Sequence, residues 1–295
     1  MARTQDKLVT VEAQDTMTEK KVVVARAPSL AQECIAEIIG TFILILVGDG
    51  AVAVAVFTSG QLDLLGVSVL WGFGVAFACY CIGAISGAHL NPAVTIAMAV
   101  FRGFPARKIA PYIIGQIIGA FTASAVIYGL WHGFWQPMAQ KLGVVKGQPG
   151  SQKLMMVFSC FYPNPGSVGV EPADLAKVST LTAFSVEVVL TMFLLLMVFA
   201  LTDEDNKGAP QSWYAPLLIG LTVTAIVGIG APLTMDAVNP VRDFGPRLFA
   251  YCVGFGEIAF PGPRGNEWWL YIVAPIVGGL IGAAIHQQVV KRRRA

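Results

Sequence analysis

Two short stretches of the chain combine an Asn-Pro pair with polar neighbours inside otherwise apolar sequence. One reads SGAHLNPAVT (residues 86–95), and the other reads TMDAVNPVRD (residues 234–243) and adds an arginine and two aspartates. Charged side chains are costly where no water is available, so an apolar region that contains them needs a functional reason. The chain has only three histidines and no Ser/His or paired-Asp arrangement at catalytic spacing. We therefore expect recognition of a solute and not an enzyme.

The composition is that of an integral membrane protein. Of the 295 residues, 55% are hydrophobic and only 13% are charged, whereas soluble domains usually carry about 25% charged residues. The net charge of +2 and the absence of a basic stripe argue against a nucleic-acid partner. The five cysteines are an odd number without metal-ligand spacing, so we expect free thiols and no metal site.

Six apolar runs of about 20 residues are long enough to cross a lipid bilayer as helices. They occupy approximately residues 31–57, 64–84, 107–131, 178–201, 213–231 and 268–290. Residues 1–28 mix both charges with little apolar continuity and lack the features of a signal peptide, so they are predicted to form a disordered tail.

The basic residues predict how the spans are oriented. Six spans put both termini on one side of the membrane. Arg102, Arg107 and Lys108 follow a short apolar run with no acid nearby, and the chain ends in KRRRA. Because positive loops stay inside, we expect a multi-pass protein of the plasma or inner membrane with both termini in the cytoplasm.

Two shorter apolar runs, at residues 86–103 and 234–254, do not fit the count of six. Each consists of a polar loop followed by about 10 residues of helix, which is too short to span a bilayer. Proline directly after asparagine suits the first turn of a helix, so Asn91 and Asn239 are predicted to be helix N-caps. The sequence therefore predicts two half-length helices that are capped alike.

The two halves of the chain repeat each other. Glu37 in IAEIIGTFIL matches Glu187 in SVEVVLTMFL at an offset of 150 residues, and Asn91 matches Asn239 at an offset of 148. Three transmembrane helices per repeat is an odd number, so the halves must lie in opposite orientations. Inverted repeats with discontinuous helices place their shared site near the bilayer midplane.

That shared site has the properties of a pore. Half-helices that enter from opposite faces meet at their N-termini, where the positive ends of both dipoles and two asparagine amides converge. The carbonyls of the loops before them have no helical partners and must face a polar lumen. The residues that carry them are Gly87, Ala88, His89, Met235 and Ala237. Because the positive field repels cations and protons, the arrangement predicts passage of neutral polar molecules.

At this point the motifs carry a resemblance to a known family. SGAHLNPAVT and NPVRDFGPR, one in each repeat, resemble the two Asn-Pro-Ala boxes of the aquaporin family, over about residues 30–290. Asp243 and FSCFYPNPG (158–166) are similar to its glycerol-facilitator branch. The resemblance implies an all-α membrane protein of six transmembrane helices plus two re-entrant half-helices in an inverted repeat, the aquaporin-like fold. It also implies a homotetramer that passes glycerol, water and other small uncharged solutes, such as larger polyols or urea, without a cofactor.

The resemblance also divides the chain and assigns its functional residues. A channel domain over 29–295 follows the tail and comprises repeat one (about 30–131), an extracellular connecting loop (about 132–177) and repeat two (about 178–290). The Asn-Pro boxes are then Asn91, Pro92, Ala93, Asn239, Pro240 and Val241. The selectivity filter consists of Trp71, Val227, Asp236 and Arg242, and structural support comes from Glu37, Glu187 and Asp243. In this scheme the two glutamates hold the re-entrant loops by accepting backbone N–H bonds, and Asp243 helps to fix the arginine loop.

Two departures from the family pattern predict differences in the pore. Val241 replaces the usual alanine of the second box, for which we expect a modest packing effect. Asp236 stands where the glycerol branch generally has a second filter aromatic. A carboxylate facing the pore would make the filter wider and more polar, and could pair with Arg242. The alternative is that Asp236 turns away to bond loop amides while a neighbour such as Met235 lines the pore.

Other interpretations of the same residues remain open at this stage. His89 could be only a satisfied cap residue, and Trp71 could belong to an interfacial belt. Glu37 and Glu187 could relay protons in a secondary active transporter, which would also show inverted repeats and broken helices. A water-selective channel is disfavoured by Asp243 but not excluded.

Overall fold

The computed structural model describes residues 8–11 and 23–290. Two short strands, β1 (Leu8–Val11) and β2 (Val23–Arg26), pair antiparallel with Leu8 opposite Arg26. The predicted disordered tail over residues 1–28 falls largely on residues 1–7 and 12–22, which lie outside the described residues. Its described part contains these two strands, which the prediction did not include.

All other regular elements between residues 27 and 290 are helical. In chain order the α-helices are α1 (Leu30–Phe57), α2 (Leu64–Ser86), α3 (Pro92–Phe101), α4 (Ile109–Leu130), α5 (His132–Leu142), α6 (Gln152–Met155), α7 (Pro172–Leu175), α8 (Thr180–Leu201), α9 (Ala215–Thr234), α10 (Pro240–Ala250) and α11 (Leu270–Ile285). Short 3₁₀ turns occur at Ala106–Lys108, Ser212–Tyr214 and Gly256–Ile258, and π turns at Tyr251–Phe255 and His286–Val290.

Six of these helices are long and apolar enough to cross a membrane, namely α1, α2, α4, α8, α9 and α11, with α4, α9 and α11 extended by adjoining turns. This confirms the six predicted spans, with ends that differ by a few residues. The half-length helices are α3 and α10, of 10 and 11 residues. Below, the membrane face on which α1 begins and α11 ends is called the terminal face, and the other is called the distal face.

Local sequence sets where the first spans begin and where the re-entrant loops start. Ser29 caps α1 in a reciprocal capping box with Gln32, and the Asp63 carboxylate caps α2 by accepting from the Gly66 N–H at 2.8 Å. Helix α2 ends at Gly87, whose φ of +83° is left-handed, and α9 ends at Met235, whose φ is +63°. A left-handed residue thus turns the chain out of each helix and into a re-entrant loop.

The packing of the helices is that of two interlocked repeats. Helix α1 packs on α2 and α4, α8 packs on α11 and α9, and the repeats meet where α2 crosses α9. At that crossing, a Cβ on Gly72 or Gly220 would overlap the backbone carbonyl of the other, so only glycine permits this approach. Each half-helix packs on the other repeat as well, α3 against α11 and α10 against α4.

The connecting segment, residues 132–177, is more structured than the loop that the sequence predicts. It contains α5, α6 and α7, and it buries a group of apolar side chains among them. Phe158 stacks on Trp135 with ring centroids 5.3 Å apart, so α5 covers the chain that follows it. Its aromatic content makes it a packed cover on the distal face and not a solvated linker.

Candidate pore and filter

The two Asn-Pro boxes meet at their asparagines. Asn91 and Asn239 are the N-caps of α3 and α10, and their Oδ1 atoms accept from the N–H groups two residues later, at 2.8 Å and 3.0 Å. Their Nδ2 atoms bond crosswise: Asn91 donates to the Val238 carbonyl at 2.9 Å and Asn239 donates to the Leu90 carbonyl at 2.8 Å. An amide has two N–H donors, so one per asparagine remains for a solute.

The other box residues support the contact from behind. Pro92 and Pro240 occupy the first turns of α3 and α10, where the missing N–H costs nothing. Ala93 and Val241 are fully buried, and neither is among the residues that line the cavities described below. The additional bulk of Val241 therefore lies in the apolar core between the helices, away from the lumen.

Glu37 on α1 holds the first re-entrant loop. Its Oε1 accepts from the His89 N–H at 2.9 Å and the Ser86 hydroxyl at 2.7 Å. Its Oε2 accepts from the Leu90 N–H and the Gln116 side chain, both at 2.8 Å. One buried carboxylate thus satisfies four donors and fixes the loop to α1 and α4.

Glu187 on α8 holds the second loop in the corresponding way. Its Oε1 accepts from the Ala237 N–H at 3.0 Å and its Oε2 from the Val238 N–H at 2.8 Å. Glu187 and Glu37 therefore bind the two backbone N–H groups that lie two and one positions before the asparagine of each box.

Two cavities lie in series through the molecule. The first, of about 330 Å³, opens toward the terminal face and is lined by both asparagines and by loop residues Gly87, Ala88, His89 and Ala237. The second, of about 610 Å³, lies toward the distal face and includes Met235. Trp71, Val227 and Arg242 line both cavities. The constriction between the cavities is therefore formed at these three side chains.

His89 combines both roles considered for it. It lines the first cavity, and its Nδ1 lies 3.2 Å from the Thr95 hydroxyl, so one ring nitrogen is engaged locally. Its ring also lies against Phe104 and Tyr112, at centroid distances of 4.6 Å and 5.1 Å. The imidazole is thus held in place at the wall of the lumen.

The arginine at the constriction has partners that the sequence interpretation missed. The Arg242 guanidinium carbon lies 4.4 Å from the centroid of the Trp71 ring, at cation–π distance. Arg242 Nη1 lies 3.6 Å from Oδ1 of Asp49, a fully buried carboxylate in the middle of α1. The signal that could have found Asp49 is a lone acid within an apolar span.

Asp236 lines the first cavity but does not pair with Arg242. The ion pair recorded for Arg242 is the one with Asp49, so the predicted Asp236–Arg242 pair is absent from the described residues. The alternative, a carboxylate bonded to loop amides, is absent there as well, because neither Asp236 oxygen accepts a hydrogen bond from the described chain. Asp236 is 3% exposed and its Oδ1 packs closely against Gly230 of α9. It is a buried carboxylate at the cavity wall to which no described residue donates a hydrogen bond.

The major intrinsic protein family model matches residues 24–286 of the chain. The chain belongs to this family. It is 40% identical over 269 residues to the glycerol uptake facilitator protein of Escherichia coli (strain K12), covering 91% of each chain. It is 43% identical over 270 residues to the glycerol uptake facilitator protein of Pseudomonas aeruginosa, covering 91% of this chain and 92% of the relative. It is also 40% identical over 263 residues to the propanediol uptake facilitator of Citrobacter freundii, covering 89% and 93%.

A solved structure agrees with this assignment. The X-ray structure of the aquaglyceroporin from Plasmodium falciparum superposes with a TM-score of 0.74 at 30% identity, covering 89% of this chain and 97% of that chain. The predicted fold of six spans and two half-helices is therefore confirmed. Membership of the major intrinsic protein family also confirms that the chain is a passive membrane channel and not an enzyme.

In this member of the family, Asp243 serves a different partner from the one expected. Its carboxylate accepts from the Cys160 N–H at 2.7 Å and from Nε and Nη2 of Arg247 at 2.8 Å and 2.9 Å. Arg247 also donates to the carbonyls of Cys160 at 2.6 Å and Ala259 at 3.1 Å. Asp243 thus ties α10 to the connecting segment through Arg247, and among the described residues its carboxylate makes no hydrogen bond to the Arg242 guanidinium.

Arg247 is a second residue that the sequence interpretation missed. An acid and an arginine four residues apart on one helix face are a recognised helical pair, and this was the available signal.

Outside the spans, Glu267 is buried near Arg247 and Arg264, and burial raises its pKa to about 7 against the opposing effect of the two arginines. All five cysteines are free.

Proposed function

We propose that this chain is a passive channel for glycerol, water and other small uncharged solutes such as larger polyols and urea. One observation carries the proposal: two cavities in series meet where Trp71, Val227 and Arg242 line both. Relatives named as glycerol and propanediol facilitators support the choice of solute.

The constriction offers one apolar wall and one polar wall. The carbon backbone of a polyol slides along Trp71 and Val227, while its hydroxyls accept from Arg242. Asp236 and the loop carbonyls supply acceptors for the hydroxyl protons. A solute that replaces its hydration in this way crosses without a large desolvation cost, whereas an apolar molecule leaves the polar groups unpaired.

Exclusion of ions follows from the centre of the pore. A water molecule that accepts from the free N–H of both Asn91 and Asn239 has its hydrogens directed away from them. The N-termini of α3 and α10 add a positive field at the same point. Cations and protons are therefore repelled, while water and hydroxyl groups pass.

The two glutamates have the same role in this scheme as in the sequence interpretation, whereas Asp243 has a different one. Glu37 and Glu187 act as structural tethers, since each accepts two backbone N–H bonds of its loop. Glu37 has no cation within its own four-donor network, which is the pattern of a tether and not of a proton relay. Asp243 acts as a brace for α10.

Assembly and placement in the cell complete the proposal. Lipid-facing side chains such as Leu65, Leu181 and Ile229 are exposed on the spans, as a bilayer requires. We assign a homotetramer with one pore per subunit in the plasma or inner membrane. Both termini lie in the cytoplasm, so the terminal face is cytoplasmic and the connecting segment is extracellular.

The proposal is tested by light-scattering permeability of the purified protein in liposomes to water, glycerol and five-carbon polyols. Because Asp236 is smaller than an aromatic residue and carries acceptors, the native protein should pass all three. Asp236→Phe should reduce the permeability to five-carbon polyols by at least about tenfold, equivalent to about 1.4 kcal/mol in barrier height, while the permeability to glycerol is kept. Asp174→Asn, at a partly exposed carboxylate that pairs with Lys177 outside the pore, is the matched control and should change nothing.

Three results would contradict the proposal in different ways. Water flux without glycerol flux would show a water-selective channel. Counter-flow or dependence on an ion gradient would show a transporter. Equal solute ranges for the native protein and Asp236→Phe would show that Asp236 does not contribute to the filter.

A further inference from the structure

A charged residue of α1 lies outside the pore scheme described so far. Asp49, in the stretch VGDG (residues 47–50), is fully buried near the middle of a helix that otherwise carries mostly apolar side chains. Its Oδ1 lies 3.6 Å from Arg242 Nη1, and neither of its oxygens accepts a hydrogen bond from the described residues. A buried acid in a membrane span needs a function, and Asp49 has one charged neighbour within ion-pair distance among these residues.

The residue next to Asp49 contacts the other principal side chain of the constriction. A Cβ on Gly48 would overlap the six-membered ring of Trp71, so α1 and the indole are in direct contact. The same indole lies against the Arg242 guanidinium. The pair Gly48–Asp49 therefore supports Trp71 and Arg242 together from behind.

The other acids of this region are not available to balance the arginine. Asp243 is engaged by Arg247 and the Cys160 N–H, and Glu187 is engaged by the second re-entrant loop. Asp236 lines the cavity that solutes enter, whereas Asp49 lines neither cavity. The counter-charge of Arg242 is thus supplied from the helix wall, where no solute touches it.

From this geometry we infer that Asp49 is a positioning residue that draws the Arg242 guanidinium against Trp71 and away from the axis of the pore. The width of the constriction then depends on the Asp49 charge. This inference rests on the proposed function, because it assumes that Arg242 faces passing solutes.

Loss of the charge has a defined consequence for transport. Removing one partner of a buried ion pair leaves the other charge uncompensated. In Asp49→Asn the uncompensated Arg242 guanidinium is more stable when it turns toward the polar lumen, and there it narrows the constriction. The permeability to five-carbon polyols, relative to that for glycerol, should therefore fall by about tenfold. A change of this size lies within the range of coupling free energies between contacting residues. Water should be nearly unaffected.

The experiment measures water, glycerol and five-carbon polyol permeability on the same liposomes for Asp49→Asn and Asp49→Ala. Ratios of permeability do not depend on the amount of folded channel, so partial misfolding does not obscure the result. The matched control is Glu33→Gln, which removes the other ion pair of α1, the one with Lys108 at 2.6 Å. This control should leave the ratios unchanged.

A double-mutant cycle separates a positioning role from a structural one. In an Arg242→Ala background, Asp49→Asn should have no further effect on the polyol-to-glycerol ratio, because the group that Asp49 positions is gone. A proportional loss of all three permeabilities, or an equal effect of Asp49→Asn in both backgrounds, would overturn the inference.

Failure of the proposed function has its own signature. If Arg242→Ala alone leaves the permeability ratios unchanged, then Arg242 is not part of the filter, and the proposed function is wrong in that respect. If Arg242→Ala changes the ratios and Asp49→Asn does not, the filter stands and only the role of Asp49 is rejected.

Discussion

The two re-entrant halves share one backbone plan but differ in their charges. At an offset of 148, Arg242 corresponds to Val94, Asp243 to Thr95 and Asp236 to Ala88. The helices behind them differ in the same sense, because at an offset of 150 Asp49 of α1 corresponds to Phe199 of α8. The ionisable groups around the filter therefore belong to the distal side alone.

The means by which each loop is held also differs. The first loop is fixed by side chains of its own repeat: Glu37 accepts from the loop and from Gln116, Gln116 also donates to the Thr95 hydroxyl of α3 at 3.2 Å, and the Tyr112 hydroxyl donates to the Ser86 carbonyl at 3.0 Å. The second loop has two backbone bonds to Glu187, which also accepts from the Thr234 hydroxyl, and the half-helix after it is bound to the connecting segment by Arg247.

This difference separates what makes a pore from what makes it selective. The features that the repeats share, the capped half-helices and the glutamate tethers, build a polar path through the bilayer. The features that they do not share, Arg242 with Asp49 and Asp236, stand at one end of that path. Selectivity can then change by substitution at that end, in either repeat, while the shared features keep the pore intact.

The largest expected loss of stability comes from removing one of the two glutamate tethers, Glu37 or Glu187. Glu37→Leu leaves four buried donors without an acceptor and Glu187→Leu leaves three, the Ala237 and Val238 N–H groups and the Thr234 hydroxyl, at roughly 1–3 kcal/mol each. We expect Glu37→Leu to cost about 4 kcal/mol or more, and more than Glu187→Leu costs. Thermal unfolding in detergent measures both losses, with the glutamine variants as milder controls. Equal losses would show that the first loop does not depend on its denser network.

The next effect concerns the brace that only the second repeat has. Asp243→Asn leaves the fully buried Arg247 without its carboxylate, which costs about 3–5 kcal/mol for a buried pair. The corresponding variant of the first repeat, Thr95→Val, should cost about 1 kcal/mol because it removes neutral hydrogen bonds. Hydrogen exchange should show the loss of protection in the connecting segment for Asp243→Asn. Loss of protection confined to α10 would contradict the proposed bracing.

Hydropathy and the Asn-Pro boxes were sufficient to predict most of the fold. The length of the apolar runs predicts the spans. Asn91 and Asn239 each cap a helix and precede a proline, and these two features determine the local backbone conformation directly. The helices of the connecting segment were not foreseen because α5 is only moderately apolar and acquires its structure from the packing of Trp135 on Phe158.

The charged partners were harder to predict than the helices. Arg242 could be identified from its motif, but its partner Asp49 lies in a helix of the other repeat, and sequence alone does not show which side of α1 faces the pore. Asp236 lines the first cavity, but the predicted pair with Arg242 does not form among the described residues. Pairings between distant elements depend on side-chain geometry, which local pattern does not determine.

Glu267, which is buried near Arg247, predicts that the stability of the protein depends on pH. Burial raises the pKa of Glu267 from 4.5 to about 7, so the folded protein holds a proton between these values that the unfolded chain releases. Stability should be full below about pH 4.5, fall by at most about 3 kcal/mol as the pH rises to about 7, and stay constant above that. Melting temperatures at pH 5 and pH 8 measure the difference. Glu267→Gln should abolish it, and a slope that persists in Glu267→Gln would assign it to another group.

The smallest expected effect on stability comes from a comparison of α1 with α8, the two helices behind the pore. Gly48 contacts Trp71, whereas its counterpart Val198 on α8 lines the first cavity. Gly48→Ala adds a methyl group against the indole, which costs about 1–3 kcal/mol by overpacking and pushes Trp71 toward Arg242. Five-carbon polyols should then pass more slowly than glycerol. Val198→Ala should leave that ratio unchanged, because it removes volume from a cavity wall away from the constriction. If both variants shift the polyol-to-glycerol ratio alike, discrimination extends along the whole path, and the assignment of selectivity to the distal end would be wrong.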